Sequence, residues 1–432
     1  MTIRHLLRGA VALALLAGAA EAEVTVLGWP GGPEETALRA VTEIYNALPT
    51  TTEENRVNLL FTSRDGFYDK LAVDLAAGTT TFDIHQIATY SIGRYAPFMD
   101  PLTLPDIART VFGDTVLSTM QYDGKQFGVP SDLSLHFLYF RRDLIDALMA
   151  DEAARKLYGD ISEKHLGERL EPKDPDAWTW RDFVANALYF SQSVNPDSPT
   201  RYGTVIQMKN LLFNMMVFHS WPRSYGANWM DEAGNVTMDT PAWRETLEMA
   251  KMLYDLGATP PDSTSYEYAE ANAAWNSGQV AAMVQWNAAA TELVGAQPQT
   301  AIVAPPTGPE GRFTHIHGLG LGLNSASLHK EGAIAFLNWL ATEDAAIGYA
   351  NAGGAPGLSA ETAAKLAATR PDLVQVGEFA STYGFVMRGG TSANALSVYE
   401  KQAQEFTGYW AGTQDLDTAI ANAQKAMAEL LK

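Results

Sequence analysis

Short apolar runs alternate with helix-period segments through the first ninety residues, and that alternation restricts this chain to an α/β architecture. Val24–Leu27 reads as a strand that runs into the turn cluster Gly28-Trp29-Pro30-Gly31-Gly32-Pro33. Glu34 and Glu35 open a helix, their charge favourable at its N-terminus, and Ala37, Val41, Ile44 and Leu48 fall on one face. Val57–Phe61 is the second strand, Tyr68–Ala77 the second helix, and Phe82–Ile87 the third strand after the stop at Gly78. Beyond a turn over Gly124–Gly128, Leu135–Phe140 is strand-like, and residues 144–290 are mostly helical. Thr314–Leu323 is expected as one strand and Gly332–Leu340 as a helix. The last helix carries Leu416, Ile420, Ala423, Met427 and Leu430 on one face, with Asp415 and Asp417 at its start.

The N-terminus carries Arg4 and Arg8, then the apolar run Ala10–Leu16, then small residues ending in Ala20-Glu21-Ala22. That order predicts a secretory signal peptide over residues 1–22, cleaved near Ala22. The run is shorter than the ~20 residues needed to span a bilayer. The remaining 410 residues predict two or three domains. The chain has no cysteine, which excludes disulfides, thiolate metal sites, cysteine nucleophiles and a lipoprotein anchor. A diffusible periplasmic protein is the expectation. The formal charge is −20, and loss of two arginines and one glutamate with the signal segment makes it −21. An acidic surface of this kind argues against nucleic acid and anionic membranes as partners. The 10 Trp and 17 Tyr point elsewhere, because several sit beside Gly, Asn and Pro in loop-like stretches.

An ordered series of motifs then emerges. Phe82-Asp83-Ile84 leads to Met99-Asp100-Pro101-Leu102, and Tyr122-Asp123-Gly124-Lys125-Gln126-Phe127-Gly128-Val129-Pro130 leads to Leu138-Tyr139-Phe140 and Arg142-Asp143-Leu144. Thr179-Trp180-Arg181-Asp182-Phe183, then Ser277-Gly278-Gln279-Val280-Ala281-Ala282-Met283 with Trp286, follow in turn. Ala335-Phe336-Leu337-Asn338-Trp339-Leu340 and Gly353-Gly354-Ala355-Pro356 complete the order. In this order they resemble the sugar-binding group of extracellular solute-binding proteins that serve ABC importers, relatives of maltose-binding protein. Trp275 stands near the family's usual Phe, and Gln86, Tyr90 and Ser91 stand where relatives often carry an Asp-Arg type pair, a departure that argues against maltose itself as the ligand.

The resemblance implies a two-lobed α/β fold of the periplasmic binding protein type, with a ligand cleft between the lobes and three crossings. By position these fall near Pro130–Ser134, His315–Leu321 and Asn351–Gly357. Lobe one is then expected over residues 23–130 plus 318–355, and lobe two over 131–317 plus 356–432. A ligand bridging both lobes favours the closed state. Trp and Tyr stack on the C–H face of a pyranose, while Asp, Asn, Gln, Arg and His bond its hydroxyls. The resulting candidates are Trp29 after the first strand, Arg64 and Asp65 after the second, and Gln86 and Tyr90 after the third. Asp132 and Ser134 stand at the first crossing, His317 at the second and Gly354 at the third. Lobe two contributes Asn210, Trp221, Tyr225, Trp286 and Asn287, and Arg388 precedes the late helices. Each has a structural alternative: the aromatics as core, Asp65 as a helix cap, Arg388 as a surface ion-pair partner.

Other chemistry is less well supported. His315 and His317 share a strand face as two metal ligands would, but no third ligand is near in sequence, so no metal is expected. Gly318-x-Gly320-x-Gly322 lacks the strand–turn–helix context of a dinucleotide site, and no cofactor is expected. No nucleophile-elbow, zincin or Walker sequence is present, and no carboxylate pair stands out for glycoside hydrolysis. The expected partners are a small sugar or polyol and the permease subunits of an importer, bound by a monomer. A polyamine, a quaternary ammonium compound or an anionic sugar derivative is the alternative ligand, and a glycosidase the alternative activity.

Overall fold

The early apolar runs become β1 (Val24–Gly28), β2 (Val57–Phe61) and β3 (Ile84–Ala88), with helices α1 (Gly32–Asn46) and α2 (Phe67–Ala76) between them. β1 pairs in parallel with β2 on one side and β3 on the other, the arrangement that helical crossovers impose. The structure, a computed structural model, describes residues 24–30, 32–62 and 67–432. The signal segment and the candidates Arg64 and Asp65 lie outside the described residues. On α1 the buried face is Ala37, Leu38, Val41 and Tyr45. Ile44, expected on that face, is 43% exposed, and Tyr45 takes its place one step around the helix.

Further along come β4 (Met99–Asp100), α3 (Ile107–Ser118), β5 (Gly128–Ser134) and β6 (His136–Arg141). After the helical middle, which includes α4 (Leu212–Phe218), the chain returns to strand with β7 (Ala282–Trp286), β8 (Thr300–Val303) and β9 (His317–Asn324). The first sheet has six strands in the order β2-β1-β3-β9-β4, with β5 also paired to β9. β9 runs antiparallel to each of its partners. The second sheet has three antiparallel strands, β8-β6-β7. Each sheet anchors one lobe.

The segment expected as one strand over Thr314–Leu323 is two. Thr314–His315 pairs in parallel with Gly384–Phe385 beside the second sheet, and β9 begins at His317 in the first. Ile316 is therefore the step between lobes. The opposite step is Leu135, between β5 and β6. Both steps are clamped: the Asn287 side chain accepts from Leu135 N (3.0 Å) and donates to Leu133 O (3.2 Å). Thr314 Oγ1 accepts from His136 N and donates to its carbonyl, both at 3.0 Å.

After α5 (Glu343–Asn351), which packs on α1, the chain stays with the first lobe beyond the Asn351–Gly357 expected for the third crossing. Leu133 N bonds Ala355 O and Ser359 N bonds Val111 O on α3, each at 2.9 Å. The passage to lobe two runs along the helix Pro371–Tyr383, where the Phe379 and Phe137 rings meet at 5.5 Å.

β9 is buried along its whole length, and its glycines explain how. A Cβ at Gly318 would collide with the Thr119 hydroxyl, one at Gly320 with the Met120 sulfur, and one at Gly322 with the Met99 methyl. The Gly-x-Gly-x-Gly pattern is thus a packing groove for neighbouring side chains.

Candidate ligand cleft

Strand ends bring a row of aromatic rings to the junction of the lobes. Trp29, one residue past β1, meets the Phe67 ring edge-on at 5.0 Å and Tyr68 at 5.9 Å. The Tyr68 and Tyr90 hydroxyls share a 2.7 Å hydrogen bond. Tyr90, just past β3, lies 5.8 Å from the His317 ring and 6.4 Å from Phe213 on α4. His317 lies 5.7 Å from Trp286, and Trp286 lies 4.4 Å from His136, its partner across the β6–β7 ladder. The row runs without interruption from lobe one to lobe two.

Behind this wall stand two more histidines. His315 is 4.1 Å from His317, and His219, at the end of α4, is 5.2 Å from His315. In the helix α6 (Ala395–Trp410), Tyr399 Oη bonds His315 Nε2 at 3.1 Å and Gln402 Oε1 bonds His219 Nε2 at 3.0 Å. All four imidazoles are buried. Burial first, and repulsion from His219 second, pushes His136 down to about 3, and burial pushes His219 down to about 3. Burial and the neighbouring imidazoles also hold His315 and His317 well below the ordinary range. The cluster is therefore neutral near pH 7. Both ring nitrogens of His136, Nε2 of His317 and one nitrogen each of His219 and His315 have no hydrogen-bond partner among the described residues. No group of three or more His, Asp or Glu side chains among those residues is arranged to hold a metal ion.

Beside the wall, under lobe one, a small cavity is lined by Trp29, Glu34, Glu35, Gln86, Ser131 and Tyr349, among others. Gln86 Oε1 accepts from Trp29 N at 3.4 Å. The carboxylate of neighbouring Asp132 is buried, accepts from the Tyr349 hydroxyl, and accepts from Ala355 N at 2.9 Å. Burial, followed by the charge of Glu34, pushes Asp132 up to about 7, against the pull of its hydrogen bonds. This floor is acidic and internally bonded, whereas the wall is neutral.

Of the sequence candidates, Trp29, Gln86, Tyr90, Trp286 and His317 come together in the wall and floor, and Ser134 pairs with His317 across the β5–β9 ladder. Others are placed differently. Trp221 belongs to the lobe-two core, stacked on Trp180 at 4.7 Å and packed against Phe183 and Phe218, because two large flat rings exclude more water together than apart. Asn287 spends its amide on the first crossing, and Asp132 spends its oxygens on Tyr349 and Ala355. Gly354 leaves room for the Tyr349 ring, which a Cβ there would strike. Arg388 is exposed and braces a loop, its Nη1 donating to Met230 O at 2.6 Å. Tyr225 lies half-buried against Trp221, and burial beside Glu245 pushes its hydroxyl up to about 12. Asn210 is exposed on the loop entering α4, three residues before Phe213. Sequence reasoning missed His136, Tyr68 and Tyr349. His136 could have been found from its place beside the first crossing, but its facing Trp286 depends on strand register.

The sequence profile of the bacterial extracellular solute-binding protein family matches residues 36–347. The chain belongs to that family. It is 25% identical over 346 residues to a binding protein of Brucella abortus (strain 2308), covering 77% of this chain and 75% of the relative. Among solved structures, the maltose-bound MalE3 of T. maritima superimposes with a TM-score of 0.75 at 21% identity, over 94% of this chain and 99% of that one. A solute-binding protein of an ABC transporter from Agrobacterium radiobacter K84, in complex with ribitol, gives 0.73 at 16% identity, over 94% and 98%. These likenesses carry the two-lobed fold. No helix among the described residues is long and apolar enough to cross a membrane.

Proposed function

We propose that this protein captures a sugar or polyol in the cleft between its lobes and delivers it to the permease of an ABC importer, acting in the periplasm as a monomer that binds without turnover. The supporting observation is the continuous aromatic wall from Trp29 to Trp286, joined to buried neutral imidazoles with free ring nitrogens. Rings take the C–H face of a carbohydrate, and neutral imidazoles serve hydroxyls as donor or acceptor. The structural relatives named above hold maltose and ribitol. The acidic floor of Glu34, Glu35 and Asp132 beside Trp29 favours a second reading, an amine ligand held by charge and ring faces.

Thermal-shift titration of the mature chain with ribitol, maltose and spermidine separates the two. A ligand at one hundred times its Kd stabilises by about 2.7 kcal/mol, so a dose-dependent rise in Tm with ribitol or maltose is the expected result. A rise with spermidine alone would replace the sugar reading with the amine one. Saturable hydrolysis of a glycoside would overturn binding without turnover.

A further inference from the structure

Four of the chain's eight histidines gather at one point, the junction of the two lobes. They come from different elements: His136 opens β6, His219 ends α4, and His315 and His317 flank the step at Ile316. Such convergence of polar rings in a buried place needs a reason, because a buried polar atom without a partner works against folding. Two of them have one ring nitrogen engaged by the fold, while the other nitrogen of each has no partner among the described residues. His219 is held by Gln402, and His315 is held by Tyr399 and stacked on Phe385 at 4.8 Å.

The other two are set apart by their position against Trp286. His136 is fully buried, and neither of its ring nitrogens has a partner among the described residues. His317 is 2% exposed, and its Nε2 has none. Both rings face Trp286, at 4.4 and 5.7 Å, and lie 6.4 Å from each other. A metal does not explain them, since no group of three or more ligating side chains among the described residues is arranged to hold one.

Building on the cleft reading above, we infer that His136 and His317 form a hydrogen-bonding clamp beside Trp286 that reads adjacent hydroxyl groups of an uncharged ligand. A hydroxyl both donates and accepts, and so does a neutral imidazole, which offers one N–H and one bare nitrogen. A carboxylate or phosphate needs donors only and would lie against these neutral rings without a counter-charge, which burial penalises. His315 is a positioning residue: backed by His219, it packs against His317 and fixes that ring of the pair.

The test uses the mature protein and the variants His136→Phe, His317→Phe and His136→Gln. Phenylalanine keeps a ring of similar size and removes the orphaned nitrogens. Without ligand, each Phe variant is expected to melt higher than wild type, because the polar atoms kept for the ligand are gone. With ribitol and maltose as calorimetric probes, whichever binds wild type is expected to bind each Phe variant at least about tenfold more weakly, a loss of about 1.4 kcal/mol. His136→Gln, which restores a donor and an acceptor, is expected to recover affinity to within a few-fold of wild type. A melting temperature that stays level or falls in both Phe variants shows that the imidazoles serve the fold and overturns the clamp. Undiminished affinity in those variants does the same. If the Phe variants melt higher while neither probe binds wild type, the clamp stands and the sugar or polyol reading fails.

Discussion

Asp132 and His136 stand four residues apart on either side of the first crossing, and the fold treats them in opposite ways. Both are buried and both can carry charge. The carboxylate is tied to Tyr349 and to Ala355 N, partners that come from α5 and the segment after it. The imidazole faces Trp286 and is tied to nothing by its ring nitrogens. A polar group with all its bonds made inside the protein holds elements together, and one with its bonds unmade is ready for something else. Asp132 is thus a latch between segments of lobe one, and the wall is the surface we propose for the ligand.

Acidity should break this comparison most strongly, because four imidazoles act together. Their folded values lie below the unfolded 6.5, with His136 and His219 at about 3, so the unfolded chain binds more protons between those limits. The histidine contribution to stability is complete above pH 6.5 and falls as pH drops toward 3, with His85, at about 4, adding to the loss. Asp132 has the opposite sign. Its folded value of about 7 lies above the ordinary 3.8, so its contribution is greatest below 3.8 and is lost as pH rises through 7. Urea unfolding across pH 4 to 8 should show the acid limb in wild type, and Asp132→Asn should remove only the loss of stability that accompanies the rise from pH 4 to 7.

Removing the latch comes next in size. Asp132→Ala leaves the Tyr349 hydroxyl and Ala355 N without their acceptor, and is expected to cost about 2–4 kcal/mol in chemical unfolding. A cost near zero would mean that the latch is dispensable. The smallest effect belongs to the wall. Trp286→Ala is expected to weaken binding by about 1–3 kcal/mol in calorimetry while the lobe stays folded. Unchanged affinity with a large fall in stability would move Trp286 from the wall into the core.

The fold was legible because its signals are local. Turn clusters at Gly28–Pro33 and Gly124–Gly128, apolar runs, and motifs in order each occupy a few adjacent residues. The candidate site was legible where residues stand at or just past strand ends, as Trp286, Trp29 and Tyr90 do. It was obscure where a role depends on a distant partner. Asp132 finds Tyr349 across 217 residues, and Trp221 finds Trp180 from another helix. His136 meets Trp286 through the register of two strands with a long helical insertion between them. Ile316 shows the same limit, since a single unbroken pattern over Thr314–Leu323 hides a change of sheet.

The bare face of β9 has a consequence for how this protein can vary. Gly318, Gly320 and Gly322 are spaced by two, and each is pressed by a side chain from the same side of the sheet. Saturation mutagenesis along β9 would therefore record a barcode, with Gly318, Gly320 and Gly322 rejecting even alanine and Leu319, Leu321 and Leu323 accepting other apolar residues. Lineages descending from this sequence could drift widely in their surface helices and still carry that barcode. It is a hereditary mark left by packing, on a strand inside the first sheet.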